Sequence, residues 1–272
     1  RARGVRMTLT GQVFPLMAGI AEPRQVEQVV RSVDRWLKDP VTGGIRLNTD
    51  FGGIQPDLGR AFSFAYGEKE NGAVFCHMAV MYAYALYRLR RPDVGHKVWS
   101  ALYGAATNSA VACVFPCVPE YFNAEGRGMY CYLTGTASWM VYLLLTQAFG
   151  VRGELGDLVV DPQLLPHEFG ARGECSVKVP FAGRSLEVVF HNPRRLKPGQ
   201  YKVMGVRAGG RAVPCDKQPV RDSGHRSRQN ARKHRAVAKT AWYAPCKDIV
   251  SAPLSGARSG RAPCKQFIHP SY

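Results

Sequence analysis

Long hydrophobic runs are missing from this 272-residue chain: apolar stretches such as Val141 to Leu145 are far too short to span a bilayer as a helix. Nothing ahead of Met7 has the apolar core of a secretory signal. The two absences together predict a soluble protein without a membrane partner, most simply a cytoplasmic one. A start at Arg1 rather than Met predicts a fragment or a processed product. Cysteines lack a metal-binding arrangement, because Cys113 and Cys117 have no matching second pair at zinc spacing. The odd number of cysteines ahead of Cys215 and the missing signal favour reduced thiols.

Acidic residues are also scarce, 20 against 37 Lys and Arg, for a net charge of +17. Such a balance ordinarily points to nucleic acid or an anionic surface. Its distribution argues otherwise. Cys215 to Tyr272 holds 12 basic and 3 acidic residues, whereas the preceding 214 residues hold 25 and 17. The tail, which lacks helical or strand period and has few large aliphatics, reads either as a disordered basic segment touching nucleic acid or as the product of a late reading-frame shift.

What the chain does contain is helices first and strands second, an α+β order. Thr8 to Ala21 mixes Gly, Pro and apolar residues and reads as a buried turn. Val26, Val29, Val30, Val33 and Leu37 recur at spacings of three and four, predicting a helix from Pro23 that Asp39-Pro40 ends. The polar, glycine-rich VTGGIRLNTDFGG follows, with Asn48 and Asp50, in the kind of loop that carries function. Asn71 can cap a buried helix running to Arg91. Further helices are expected over Val94 to Tyr103 and Thr134 to Phe149. Beyond Gly156 the period becomes two-fold, with strands at Asp157 to Val160, around Cys175 to Val179, Leu186 to Phe190 and Tyr201 to Val206. Strands at this spacing suggest an antiparallel sheet or sandwich.

Two stretches could carry chemistry. Thr134-Gly135-Thr136 opens an apolar helix, and a helix start offers unpaired N–H groups and a positive dipole end to an anion. Thr134 can cap, and Gly135 admits close approach; an ordinary capped helix start has the same residues. His77 in EKENGAVFCH, about two turns inside its expected helix, is either a core histidine or a donor to a phosphate oxygen. Glu68, Lys69 and Glu70, Glu120 and Tyr121 in VPEYFN, and Arg127 in GRGMY are either solvated surface groups or sugar-hydroxyl ligands. Tyr121, Phe122, Tyr130 and Trp139 could stack on a sugar or fill the core.

NTDFGG, DLGRAFSFAYGEKENGAVFCHM, VPEYFN, GRGMYCYLTGTASW and FGVRGELGDLVVDPQL resemble the C-terminal part of glycoside hydrolase family 94, from about Thr8 to Val206. That family comprises cellobiose, chitobiose, laminaribiose and 1,2-β-oligoglucan phosphorylases, and the PEYFN and GRGMY forms look most like the last branch. The resemblance implies part of an (α/α)6 barrel over residues 1–152, β-sandwich strands over 153–206 and an irregular tail over 207–272. It implies inverting phosphorolysis of a β-linked gluco-oligosaccharide to α-glucose 1-phosphate, with inorganic phosphate as co-substrate and no cofactor. By the family pattern His77, Thr134 and Gly135 hold the phosphate. The family's general acid, an aspartate, and a further phosphate-binding arginine belong to an earlier part of the family chain, and neither Asp50 nor Asp57 matches the acid. A phosphorylase fragment inactive alone is therefore expected, with poor solubility from exposed barrel faces and a possible homodimer. A carbohydrate-binding helical module without catalysis, or a nucleic-acid-binding protein led by its tail, are the competing readings.

Overall fold

A computed structural model describes residues 4–114, 117–131, 134–201, 206–208 and 211–213. The basic tail from Cys215 onward lies outside the described residues. The chain divides into two compact units, residues 1–143 and 144–272.

In the first unit, Thr8 to Ala21 is not the expected turn. Its middle forms helix α1, Thr10–Ala18, with Pro15 inside it. Leu9, Val13 and Leu16, spaced four and three apart, all go into the core, and this burial outweighs the proline. Gly19 ends the helix at φ +69°, where a residue with a side chain is disfavoured. Helix α2, Pro23–Trp36, forms where the valines predict it, with Val26 and Val33 buried. The Gln25 side chain accepts the Glu22 N–H at 2.8 Å, closing its first turn.

Helix α3, Cys76–Arg88, is the axis of this unit and packs against α1, α4 and α6. Buried residues from Ala79 to Tyr87 cover nearly all its faces, as its all-round apolarity demands. It starts later than the capping pattern predicts. Asn71 is 2% exposed and caps nothing: its Oδ1 accepts the Asn48 Nδ2–H at 3.0 Å, and its Nδ2 donates to the Phe64 carbonyl at 2.7 Å. Residues Val74–Phe75 are extended instead, as strand β1. Helix α4, Pro92–Thr107, starts at the proline that stops α3 and runs longer than its sequence period suggests. Helix α5, Ser109–Ala112, is one turn, and α6 spans Gly135–Leu143. Strands β2, Tyr121–Phe122, and β3, Gly128–Met129, complete a three-stranded antiparallel sheet in the order β1-β2-β3.

The glycine-rich loop after α2 is held by Asp39, which is 2% exposed. Burial pushes its carboxyl pKa up, but hydrogen bonds from Thr42 and from Arg46 overcome this and leave it below the ordinary carboxylate value. Arg46 reaches Asp39 Oδ1 through Nε at 2.9 Å and Nη2 at 2.7 Å. Asn48, singled out as a candidate loop residue, is likewise buried and structural. Its Oδ1 accepts the Gly72 N–H at 2.9 Å, so it ties the loop to the segment leading into α3.

The second unit opens with a π-helical turn, Leu144–Ala148, rather than a continued α-helix. Strands β4, Val151–Glu154, and β5, Asp157–Val160, pair as a hairpin, as do β6, Glu174–Phe181, and β7, Arg184–His191. Ala182 and Gly183 turn the second hairpin at φ +49° and +73°, a two-residue turn matched to strand twist. The inward-facing Val179, Leu186, Val188 and Phe190 join Phe149, Val160, Leu164 and Phe169 in one core. Strands β8, Val206–Ala208, and β9, Arg211–Val213, pair antiparallel, so the stretch expected to be irregular from residue 207 begins in strand instead. Tyr201 precedes rather than belongs to β8, and its hydroxyl donates to the carbonyl of Leu164 at 3.0 Å. The fold is thus a mixture of helices and small antiparallel sheets.

Glu168 is the ionisable group in this unit with the clearest consequence. Burial pushes its pKa up from 4.5 to about 7, against a hydrogen bond from the Leu165 N–H at 2.6 Å. As pH rises through 4.5 the unfolded chain ionises this carboxyl while the folded chain keeps its proton until about 7. Stability from this group is therefore greatest at low pH and lost between those values, by roughly 3 kcal/mol. Glu168→Gln keeps an acceptor for Leu165 and should raise the melting temperature at pH 8 while leaving that at pH 4 unchanged. Equal melting temperatures at pH 8 would contradict the raised pKa of Glu168.

Candidate functional site

Backbone pairing brings the singled-out segments together. Val74 and Phe75 pair with Phe122 and Tyr121, which in turn pair with Gly128 and Met129. The Cys76 N–H donates to the Glu120 carbonyl at 2.9 Å, and the Glu120 N–H is shared between the carbonyls of Met129 and Tyr130. EKENGAVFCH, VPEYFN and GRGMY thus become three adjacent strands, with Cys76, Glu120 and Tyr130 at one end of the ladder and Ala73, Asn123 and Arg127 at the other.

Because β1 occupies Val74–Phe75, His77 is the second residue of α3 and not two turns inside it. A helix period cannot reveal this, since the pairing partner of β1 lies more than forty residues away. Gly135 is the first residue of α6. The imidazole of His77 lies directly on it: a Cβ at Gly135 would sit 2.8 Å from His77 Cε1 and Nδ1 and 3.2 Å from Nε2. Only a glycine admits this approach. His77 therefore sits at the start of one helix and against the start of another, where the positive ends of both dipoles lie.

The polar atoms around this contact are unusual. His77 Nε2 and Thr136 Oγ1 are both shielded from solvent without a hydrogen-bond partner, although such atoms are nearly always paired. Burial lowers the His77 pKa, favouring the neutral ring. Thr134 Oγ1 accepts the Thr136 N–H at 3.3 Å, a loose cap for α6. Trp139 stands 5.8 Å from the His77 ring, centre to centre, and packs edge-on against Tyr84 and Tyr142. A compact tetrahedral anion would find at this position an imidazole, a hydroxyl and a helix N-terminus.

Glu68, Lys69 and Glu70 form a tight turn in which the Asn71 N–H donates to the Glu68 carbonyl at 3.0 Å. Lys69 takes φ +48°, a conformation costly for a residue with a side chain. Its ammonium lies 4.5 Å from the Tyr130 ring centre and 5.4 Å from that of Phe64, and Tyr130 is itself at φ +54°. Hydrogen bonding to Tyr130 raises the Lys69 pKa. Glu68 accepts from the Tyr121 hydroxyl at 3.1 Å and from Asn123 Nδ2 at 3.5 Å. Glu70 Oε1 pairs with Arg60 at 2.5 Å, while its Oε2 is shielded and without a hydrogen-bond partner.

Tyr121 is 2% exposed and Phe122 fully buried, so neither presents a ring face for stacking; Tyr121 acts through its hydroxyl on Glu68. Tyr130, by contrast, is exposed. Glu120 is half-buried beside the sheet and Arg127 exposed, its N–H donating to Asn123 Oδ1 at 3.0 Å. Asp50 is exposed and accepts the Gly52 N–H at 2.8 Å; Asp57 is exposed in a short 3-10 turn, Pro56–Leu58. Arg60 and Asn123 join the cluster without having been singled out; their only signal was membership in the DLGRAFSF and PEYFN motifs. Among the described residues no cluster of His, Cys, Asp or Glu suits a metal ion, and no helix is long and apolar enough to cross a membrane.

Comparison with known proteins bears on all of these segments. A cellobionic acid phosphorylase of Neurospora crassa is 25% identical over 225 residues, 77% of this chain and 27% of that protein. A 3-O-beta-D-glucopyranosyl-beta-D-glucuronide phosphorylase of Paenibacillus borealis is 26% identical over 212 residues, 73% of this chain and 26% of its own length. An N,N'-diacetylchitobiose phosphorylase of Vibrio proteolyticus is 26% identical over 203 residues, 71% and 25% respectively. The chain spans about a quarter of the length of these curated relatives. The model of the glycosyl hydrolase 94 superfamily catalytic domain matches residues 2–150, more than half of the chain and all of the clustered side chains. The chain belongs to the glycosyl hydrolase 94 superfamily.

Proposed function

We propose that this chain is the phosphate-side part of an inverting β-glucoside phosphorylase. In this reading phosphate rests between His77 and the α6 start at Thr134 and Gly135, and it attacks the anomeric carbon of a β-linked glucosyl unit. A carboxylic acid protonates the leaving oxygen, so α-glucose 1-phosphate and a shortened sugar result. No base is required, because phosphate is already anionic at neutral pH. Glu68, Lys69, Glu70, Glu120, Tyr121 and Arg127 would recognise the sugar, the carboxylates accepting from adjacent hydroxyls and Tyr121 holding Glu68 in place. Inorganic phosphate is the co-substrate and no cofactor is needed.

The observation that carries the reading is the His77 ring against Gly135, with Nε2 shielded and unpartnered at the start of a helix. The relatives, each named as a phosphorylase, support the reaction class; the differing sugars in their names leave the linkage open. The domain reading accompanies this function: residues 1–152 as part of an (α/α)6 barrel, 153–206 as sandwich strands, and a cytoplasmic enzyme that pairs as a homodimer.

The general acid is expected in a part of the family chain preceding these motifs. Accordingly, the 272-residue polypeptide should bind phosphate in calorimetry yet release no glucose 1-phosphate from β-linked gluco-oligosaccharides. Absence of phosphate binding would remove the proposed cradle. Phosphate-dependent release of glucose 1-phosphate would instead show that the acid lies within these residues.

A further inference from the structure

Beyond the sugar and phosphate groups, the same hairpin carries a pair of thiols that this chemistry does not use. Cys117 precedes β2 and Cys131 follows β3, at the open end of the β2–β3 ladder. The shared N–H of Glu120, bonded to Met129 and Tyr130 carbonyls at 3.1 and 2.8 Å, draws the two chain ends together just before they diverge. Burial first, and then the neighbouring Cys131 thiol, raises the pKa of Cys117, so the two thiols face the same junction. Cys131 is exposed and Cys117 half-buried, so Cys131 is the one open to attack from solvent. Other thiols in this unit are engaged elsewhere: Cys76 is fully buried, and the Cys113 thiol faces the Ala110 carbonyl at 4.0 Å.

We propose that Cys117 and Cys131 are a reversible dithiol–disulfide pair, oxidised by a low-molecular-weight disulfide. The Cys131 sulfur attacks one sulfur of that disulfide and stays bonded to it as a mixed disulfide, while the S–S bond breaks and the other sulfur leaves as a thiol carrying away the Cys131 proton. The Cys117 sulfur then attacks the mixed disulfide at Cys131, and the second small thiol departs with the Cys117 proton. Two protein thiols are oxidised and one small disulfide is reduced to two thiols. The new bond closes a 15-residue loop containing β2 and β3 and ends three residues before Thr134. Oxidation therefore pins the hairpin that bears Glu120, Tyr121 and Arg127 without touching any of them.

The experiment is a tryptic map of the full chain after incubation with oxidised glutathione and alkylation of remaining thiols. Cleavage at Lys97, Arg127 and Arg152 separates peptide 98–127, with Cys113 and Cys117, from peptide 128–152, with Cys131. The expected result is a linked 98–127/128–152 species, lost on reduction, with loss of alkylation at Cys117 and Cys131 and an upward shift in melting temperature. Cys113→Ser should retain the link, whereas Cys117→Ser and Cys131→Ser should each lose it. Melting under reducing conditions establishes that each variant is folded, and Cys131→Ser, at an exposed position, serves if Cys117→Ser is not. Full alkylation of Cys117 and Cys131 after oxidation, or a link that Cys113→Ser abolishes, overturns the proposal. This outcome is independent of phosphate binding.

Discussion

Gly135→Ala should weaken phosphate binding as severely as His77→Ala does, while leaving the chain as stable as before or slightly more so. The added methyl would sit 2.8 Å from two atoms of the His77 ring, closer than carbon and nitrogen approach without bonding, so the imidazole must swing away. Gly135 lies in α6 outside the positive-φ region, so alanine fits its backbone and improves helix propensity. Each substitution removes one hydrogen bond to a charged ligand, which corresponds to a loss of about 10- to 100-fold in affinity. Titration calorimetry with phosphate measures it, and thermal melting checks the fold. If Gly135→Ala binds phosphate as the parent does, the ligand does not sit against His77.

The same site has a pH signature. Burial lowers the His77 pKa in the free chain, and a neighbouring anion would raise it, so binding takes up a proton. Affinity should then rise as pH falls through the bound-state pKa and level off below the free-state one. Phosphate itself titrates nearby, so sulfate, whose charge is constant over this range, is the cleaner probe. His77→Ala should flatten its profile.

Sequence periodicity revealed the helices that bury one face by local spacing, and missed what depends on distant partners. The α2 valines placed that helix directly, and alternation at Cys175, Val177 and Val179 placed β6. Asn71 looked like a helix cap because Asn before an apolar run usually is one. Here it is consumed by Asn48, twenty-three residues earlier, and β1 intervenes because β2 pairs with it. The contact between His77 and Gly135 follows from that pairing and from α3 packing on α6, neither of which has a local trace. Residue types suited to an anion were legible; their juxtaposition was supplied first by family resemblance and then by geometry. For Tyr121 and Phe122 the sequence left stacking on a sugar and core packing open, and the central place of their strand settles it for the core.

Gly72→Ala should be among the most destabilising single changes in the first unit, by about 2–5 kcal/mol, combining left-handed backbone strain with overpacking. Gly72 has φ +78°, and a Cβ there would fall 2.1 Å from Tyr66 Cε2 and 2.4 Å from its Cδ2. Tyr66 cannot simply turn aside. Its hydroxyl accepts from Arg46 Nη1 at 3.3 Å and donates to the Asn48 carbonyl at 3.4 Å, and Arg46 is locked onto Asp39. Moving the Gly72 backbone instead would break its 2.9 Å bond to Asn48 Oδ1 and strand a buried N–H. A loss of this size is a large fraction of the stability of any domain, so the denaturation midpoint should fall sharply. Trimming the obstructing ring separates the two contributions: Tyr66→Leu in the Gly72→Ala background should recover the overpacking part but not the backbone strain. Recovery to the full parent value would show that the positive φ costs nothing here. A midpoint shift in Gly72→Ala worth less than about 1 kcal/mol would show that Tyr66 does not pack on this turn. The consequence reaches the site as well, because Gly72 follows the turn that holds Lys69 and Glu70 and leads into β1. A Gly72→Ala chain that still folds should therefore lose sugar recognition before it loses phosphate binding.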